Sequence, residues 1–238
     1  MSAPCAVITG ASGGIGAALA QRLASDGWQL HLIDINTERL EALQGTLSVD
    51  ATMAVSTLET PADCEAALPP DGVSIDALVH LAGIFVAHEL GPASRTVYDD
   101  TLQHNATNAF DLLGVCVPRL NEGASIVLTS SLGFNRGAQD HPAYAMAKGA
   151  VVGLIRAASR QLGKRGIRVN GVAPGIIETR MTDELLAKRG REAFLNTIPL
   201  GRLGQPADVA GVIAFLLSDD AAYVTGQVIN IDGGMVND

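Results

Sequence analysis

Short, continuously apolar runs alternate along most of the chain with longer amphipathic stretches. The apolar runs fall at 5–9, 28–34, 52–55, 77–81, 125–130, 167–173 and 228–231. Most are continuous rather than alternating, the pattern of strands covered on both faces. Between them, Ile15, Ala18, Leu19 and Leu23 recur at i, i+3, i+4 and i+8 and form one apolar helix face. Positions 37–43 and 62–68 predict short helices, and 96–120 a long one ending near Asn121 and Gly123. A second long helix is expected after Asp140 as N-cap, with Pro142 in its first turn, running to about Gly163. A last one covers 208–217, after Pro206. Strand–helix alternation builds βαβ units, so the expected fold class is α/β: a doubly wound parallel sheet of about seven strands with helices on both faces.

The stretch 176–206 breaks this rhythm, with mixed polarity and two short predicted helices at 182–189 and 192–197. An insertion after a strand's C-terminal end lies over the ligand crevice of such a fold. It is read as a substrate lid, with a structural subdomain as the alternative. No repeat, low-complexity tract or linker divides 1–238, and one domain is the simplest account.

Composition narrows the classes. An apolar content of 47% and a mean hydropathy of +0.25 exclude global disorder. A net charge of −9 disfavours nucleic acid and anionic membranes as partners. Cys5, Cys64 and Cys116 show neither metal-ligand spacing nor even pairing, which fits a reducing compartment. No basic leader follows Met1, and the longest apolar runs, such as 212–217, are too short to span a bilayer. A soluble, cytoplasmic protein without metal is expected.

The first strand leads into Thr9-Gly10-Ala11-Ser12-Gly13-Gly14-Ile15-Gly16, which opens a helix. Gly10 permits the tight turn, Gly14 lets backbone amides approach a pyrophosphate, and Gly16 lets the helix pack close to the sheet. The helix N-terminus adds free N–H groups and the positive dipole end. A glycine-rich stretch alone also arises as an ordinary turn, but with a strand before it and a helix after it this one is read as the nucleotide loop of a Rossmann-type domain. Asp34 ends the second strand, 18 residues after Gly16. A carboxylate there accepts the ribose hydroxyls and repels a 2′-phosphate, and no Arg or Lys occupies 10–16 or 34–38. The expected cofactor is NAD, with NADP second; the plainer alternative is that Asp34 caps the next turn.

Tyr144-Ala-Met-Ala-Lys148 sits early in the second long helix, where i, i+4 spacing puts phenol and ammonium on one face. A phenol is a poor base near neutrality; bringing its pKa there takes about 4 kcal/mol, which a neighbouring ammonium and a cationic nicotinamide can supply. Such a pair alone also occurs as an ordinary helix surface pair. Ser131 lies 13 residues before Tyr144, just past a strand end, where its hydroxyl can hold a substrate oxygen or simply form a turn. Asn105 is an unfavourable residue inside a helix. It can hold a water that feeds protons to Lys148, or be a satisfied buried amide.

Together these residues resemble the short-chain dehydrogenase/reductase family in its single-domain form. The likeness covers nearly the whole chain. It rests on Thr9–Gly16, Asn105, Ser131, Tyr144 and Lys148, on Asn170 through Pro174-Gly175 and Thr179, and on Pro199 to Pro206 and Thr225-Gly226 to Gly234. The resemblance implies that Tyr144 is the acid/base, that Lys148 lowers its pKa and binds the nicotinamide ribose, that Ser131 polarises the carbonyl and that Asn105 anchors the relay water. It implies nicotinamide-side contacts from Pro174, Gly175, Ile177 and Thr179, and ribose-side backbone from Ala82 and Gly83. Two departures stand out. His80-Leu81 replaces two asparagines before Ala82-Gly83, which removes their bracing of the strand. Met53 to Ser56 lacks the acidic residue expected near the adenine.

The implied activity is NAD(H)-dependent interconversion of a secondary alcohol and a ketone, with a small-molecule substrate and a homotetrameric assembly. Leu132, Phe134, Phe85, His141 and Ile176 are expected to face the substrate, with His88 and His141 adding polarity without catalytic roles. The C-terminal half looks most like 3-oxoacyl reductases, so an NADP(H)-dependent 3-oxoacyl-thioester reductase is the alternative. A non-catalytic nucleotide-binding protein rests only on His80-Leu81.

Overall fold

The computed structural model describes residues 3–236. Met1 and Ser2, where the leader expectation begins, lie outside them. Seven strands form one sheet: β1 (Cys5–Thr9), β2 (Gln29–Asp34), β3 (Ala51–Val55), β4 (Ile75–His80), β5 (Leu120–Thr129), β6 (Arg168–Pro174) and β7 (Val228–Ile231). Their order is β3-β2-β1-β4-β5-β6-β7 and every pairing is parallel. The apolar continuity has its cause in double burial: all five residues of β1 are buried. One face carries α1 (Gly14–Ser25), α2 (Thr37–Gln44) and α10 (Pro206–Leu217), through Leu19, Leu23, Leu40, Val209 and Ile213. The other carries α3 (Pro61–Ala66), α5 (Asn108–Cys116) and α7 (Pro142–Leu162), through Cys64, Leu112, Val151 and Ile155. The order reverses between β1 and β4, which opens a crevice at the strands' C-terminal ends.

Two local expectations are corrected. The helix expected over 96–120 is broken into α4 (Arg95–Leu102), a π-helical turn Gln103–Thr107, α5 and a 3-10 turn Val117–Arg119. Asparagine amides compete with the helix ladder here. Asn105 Nδ2 donates to the Thr101 carbonyl at 3.0 Å, and Asn108 Nδ2 to that of His104 at 3.0 Å. Pro118 then stops the helix, and Leu120 already belongs to β5, with Arg165 donating to its carbonyl at 2.6 Å.

Asp140 does not cap α7. The N-cap is His141, without a side-chain bond, while the Asp140 carboxylate accepts from Arg189 at 2.9 Å and Lys188 at 3.5 Å. Those two cations end α8 (Arg180–Arg189), which is followed by α9 (Arg191–Leu195). Both lie within the expected lid, 176–206, where Phe194, Ile198 and Leu203 form a small apolar cluster of their own. A short helix α6 (Leu132–Arg136) had no sequence signal; Ser131 caps it by accepting from Gly133 N at 3.1 Å.

Among the described residues no helix is long and apolar enough to cross a membrane. Nor does any group of His, Cys, Asp or Glu among them have the arrangement of a metal site.

Candidate active site

The loop after β1 shows why glycine is needed. Gly10 has φ +64°, and a Cβ there would lie 2.8 Å from Ala82 N. A Cβ on Gly16 would meet the Gly10 carbonyl at 2.3 Å, so any side chain would push α1 off the sheet. A Cβ on Gly14 would strike Thr179 Cγ2 at 2.8 Å. The first β-α turn and the start of the lid therefore meet. Inside the loop the Ser12 hydroxyl is buried without a partner, while Ser12 N donates to Asp34 Oδ2 at 2.9 Å. The other oxygen, Asp34 Oδ1, accepts from Asn36 N at 3.2 Å. Asp34 thus sits at the end of β2, with each oxygen retaining a free lone pair.

A cleft of about 730 Å³ runs from this loop to the lid. Gly10, Ser12, Gly13, Gly14, Ile15 and Gly16 line one end; Gly83, Asn105, Ser131, Tyr144 and Lys148 line its middle; Pro174, Gly175, Ile177 and Thr179 close the side under α8. Asp34 and Ala82 stand beside the cleft rather than lining it. Of the residues expected to face the substrate, Phe85, Leu132, His141 and Ile176 line it. Phe134 does not: its ring lies against Gly149, 3.0 Å from where a Cβ there would stand. His88 does not line it either.

Phe85 orders the centre. It stacks on His141 at 3.7 Å and meets the Tyr144 ring edge-on at 4.8 Å. Tyr144 and Lys148 are both buried on α7. Lys148 Nζ lies 5.5 Å from the phenol ring centroid and donates to the Thr129 carbonyl at 3.0 Å. Burial pushes the Lys148 ammonium down to about 8. Burial also pushes the Tyr144 phenol above its ordinary 10, opposed by a hydrogen bond to Ser131. The protein groups alone therefore keep Tyr144 a phenol, where the family likeness implied a lowered value. Asn105, in the π-helical turn, donates to the Ile84 carbonyl at 2.9 Å, leaving a buried Oδ1 with no partner. π-helical turns of this kind recur at functional sites because they redirect one side chain.

His80 fills the place of the missing asparagine. Thr9 Oγ1 accepts from Leu81 N at 3.2 Å and Ala82 N at 3.3 Å, so its single hydrogen goes to His80 Nδ1 at 2.8 Å. The imidazole proton is then on Nε2, facing Asn108, whose side chain supports the protonated form; Nε2 makes no full hydrogen bond. The bracing that the sequence change removes is thus restored through Thr9.

Sequence reasoning missed four cationic residues of the cleft: Arg39, Arg136, Arg180 and Arg189. They come from α2, α6 and both ends of α8, and no spacing in the chain joins them. No local signal in the chain could have found them.

The fold and this site define a nicotinamide-dependent oxidoreductase, and the comparisons agree. A family model described as "Enoyl-(Acyl carrier protein) reductase" matches residues 10–236. The chain belongs to the short-chain dehydrogenase/reductase family. It is 37% identical over 239 residues to the 3-oxoacyl-[acyl-carrier-protein] reductase FabG of Thermotoga maritima, covering 97% of this chain and 96% of that protein. It is also 37% identical over 245 residues to a short-chain type dehydrogenase/reductase, y4mP, of Sinorhizobium fredii, covering 97% and 96%. A crystal structure from Brucella melitensis, titled short-chain dehydrogenase/reductase and glucose/ribitol dehydrogenase, superposes with TM-score 0.93 at 39% identity, covering 99% and 97% of the two chains. Levodione reductase gives 0.90 at 33% identity, covering 97% and 96%.

Proposed function

We propose that this protein interconverts a ketone and a secondary alcohol with NAD(H), Tyr144 exchanging the proton. The observation that carries the reading is the convergence of Ser131, Tyr144, Lys148 and Asn105 on the cleft that the Gly10–Gly16 loop opens. The site fits a dinucleotide. Ser12 Oγ is an orphaned hydroxyl in a glycine cradle at a helix N-terminus, suited to a pyrophosphate. Asp34 retains capacity for ribose hydroxyls, and Pro174, Gly175, Ile177 and Thr179 line the opposite side for the nicotinamide end. Ala82 and Gly83 give the ribose a wall without side-chain bulk.

When bound, the nicotinamide supplies or accepts the hydride. The chain's own groups do the rest. Ser131 Oγ donates to the substrate oxygen and holds it beside the phenol. Tyr144 O–H gives its proton to that oxygen in reduction and takes one back in oxidation. Lys148, with a water held by the free Asn105 Oδ1, passes the compensating proton between Tyr144 and solvent, inward in reduction and outward in oxidation. The raised phenol pKa makes Tyr144 a proton donor at neutrality, so reduction runs well there and oxidation accelerates as pH rises. The segment 176–206 acts as the lid of a single catalytic domain.

A second reading, NADP(H)-dependent reduction of a 3-oxoacyl thioester, draws on Arg39. This guanidinium lines the cleft with no ion pair among the described residues, close in sequence to Asp34. The relatives named 3-oxoacyl reductases point the same way. Titration of nucleotide fluorescence with NADH and NADPH separates the two. The first reading expects NADH preference that Asp34→Ala relaxes. NADPH preference lost in Arg39→Ala moves the second ahead. In either case turnover falls about 10²- to 10⁴-fold in Tyr144→Phe with cofactor affinity kept. Turnover unchanged in that variant overturns both.

The expected assembly is a homotetramer in the cytoplasm. Phe110 on α5 and Met146 on α7 are 65% and 50% exposed and supply apolar surface for it. On α7, Val151, Ile155 and Leu162 pack into the core instead.

A further inference from the structure

The cleft is cationic in an acidic protein. The chain carries 25 acidic and 16 basic residues, yet no Asp or Glu among the described residues lines this cleft. Arg136, Arg180 and Arg189 line it, as do Arg39 and Lys148. Arg136 and Arg180 make no ion pair among the described residues, although carboxylates elsewhere collect cations in pairs such as Arg22–Asp26 and Arg202–Asp208. Arg180 stands at the first residue of α8, against the positive end of the helix dipole, where a cation weakens the helix. Helix stability does not account for its place. Arg189 is held by Asp140 while lining the cleft; burial is the main cause that lowers the His141 pKa, with Asp140 opposing it and Arg189 adding to it.

We propose that Arg136 and Arg180, with Arg189 behind them, form a subsite for an anionic group of the substrate, so that the ketone or alcohol processed here bears a carboxylate or a phosphate at the end remote from the reacting carbon. This rests on the reading of the cleft as the active site. Guanidinium pairs suit these two anions because their planar donors match carboxylate and phosphate oxygens bidentately. The apolar wall of Phe85, Leu132 and Ile176 lies in the same cleft and would contact a short carbon chain between the two ends. The carboxylate and phosphate share this chemistry, and the arms of the test separate them.

The test compares keto acids from 3-oxobutanoate to 6-oxoheptanoate with their methyl esters, and dihydroxyacetone phosphate with dihydroxyacetone, in the wild type, Arg136→Ala, Arg180→Ala and the double variant. The expected result is a tenfold or greater preference in kcat/KM for the charged member of one series. The double variant should lose it through KM, with cofactor affinity unchanged. Equal use of charged and neutral members overturns the proposal, as does a preference that survives the double variant. An arginine that proves to serve the nucleotide instead shows as weakened NADH binding with an unchanged acid-to-ester ratio, and this also overturns it. Calorimetric titration of the NADH-loaded protein with hexanoate and with inorganic phosphate needs no turnover. Saturable binding, weakened tenfold in the double variant, supports the subsite even where every ketone fails. In that case the failure belongs to the catalytic reading. Absence of any such binding and of any preference sinks the subsite alone.

Discussion

At the scale of single residues, the site holds a charge at a cost. Lys148 is buried with one protein hydrogen bond, to the Thr129 carbonyl, and burial lowers its pKa to about 8 from 10.5. Between those two values the unfolded chain binds a proton that the folded chain does not, so stability rises with pH there; below about 8 the buried charge is carried at full cost. Lys148→Met should therefore be more stable than the wild type at pH 7, by about 1–3 kcal/mol or several degrees in Tm. The advantage should shrink as pH rises from 8 toward 10, while turnover is lost throughout. Thermal melts at several pH values check this, and a variant that melts lower at pH 7 would mean that Lys148 is structurally paid back by contacts other than Thr129. The proposed catalytic residues were legible in the sequence because each carries its own local signature: a helical i, i+4 pair, a serine at a strand end, an asparagine inside a helix. The cleft arginines were not. Arg136, Arg180 and Arg189 gain meaning only when topology brings α6 and α8 to one wall, and no period along the chain encodes that.

At the scale of elements, the first β-α turn and the end of β4 form one joint. Only glycine fits at position 16, because a Cβ there would lie 2.3 Å from the Gly10 carbonyl oxygen, with Ala11 backbone atoms at 2.7 and 2.8 Å. Rigid backbone meets that atom on two sides. Gly16→Ala should destabilise by about 1–3 kcal/mol and remove cofactor binding. Gly114→Ala, in α5 with nothing near its missing Cβ, should instead stabilise by about 0.5–1 kcal/mol. Urea unfolding and nucleotide titration of both variants check the pair, and equal effects would show that close packing of α1 is not what Gly16 provides. The other half of the joint is His80, fully buried and neutral, with its pKa lowered to about 3 by burial and by Lys148. It must take a proton on unfolding below about 6.5, so stability falls as pH drops through that range. His80→Asn should make the fall between pH 6 and pH 4 shallower by about 1.4 kcal/mol per pH unit, one proton's worth. An unchanged slope would assign the acid sensitivity to His31 and His141, whose pKa values burial also lowers. The sequence showed the strands well, since double burial leaves an unmistakable apolar run. It misplaced the break in the 96–120 helix, because the competing bonds come from the side chains of Asn105 and Asn108. A periodicity of apolar positions does not register them.

At the scale of the molecule, the two faces of the sheet are closed by helices, and what remains apolar and exposed lies outside that core. Phe110 on α5 is 65% exposed and Met146 on α7 is 50% exposed, while α4 packs alongside α7 in the same layer. Phe215 near the end of α10 and Tyr223 before β7 are 41% and 104% exposed. These belong to two different regions, one in the helical layer and one beside the β7 edge. β7 pairs on one side only, with β6, so its other side is an open edge. Two separate self-complementary surfaces on one subunit generate a dimer of dimers, the closed arrangement that a tetramer needs. Isolated exposed apolar residues are ordinary on a monomer, so the argument depends on both regions being used at once. A charge in one region should then leave the other contact intact. Phe110→Asp and Tyr223→Asp should each convert the proposed tetramer to a dimer, and the double variant should run as a monomer in light scattering coupled to size exclusion. A wild type that is itself monomeric overturns the assembly, and a tetramer that survives Phe110→Asp removes α5 from it. Because Met146 lies on α7 two residues from both Tyr144 and Lys148, loss of that interface should lower kcat more than it raises KM. The Tyr223 interface, remote from α7 in sequence and attached to the sheet edge, should be neutral to both.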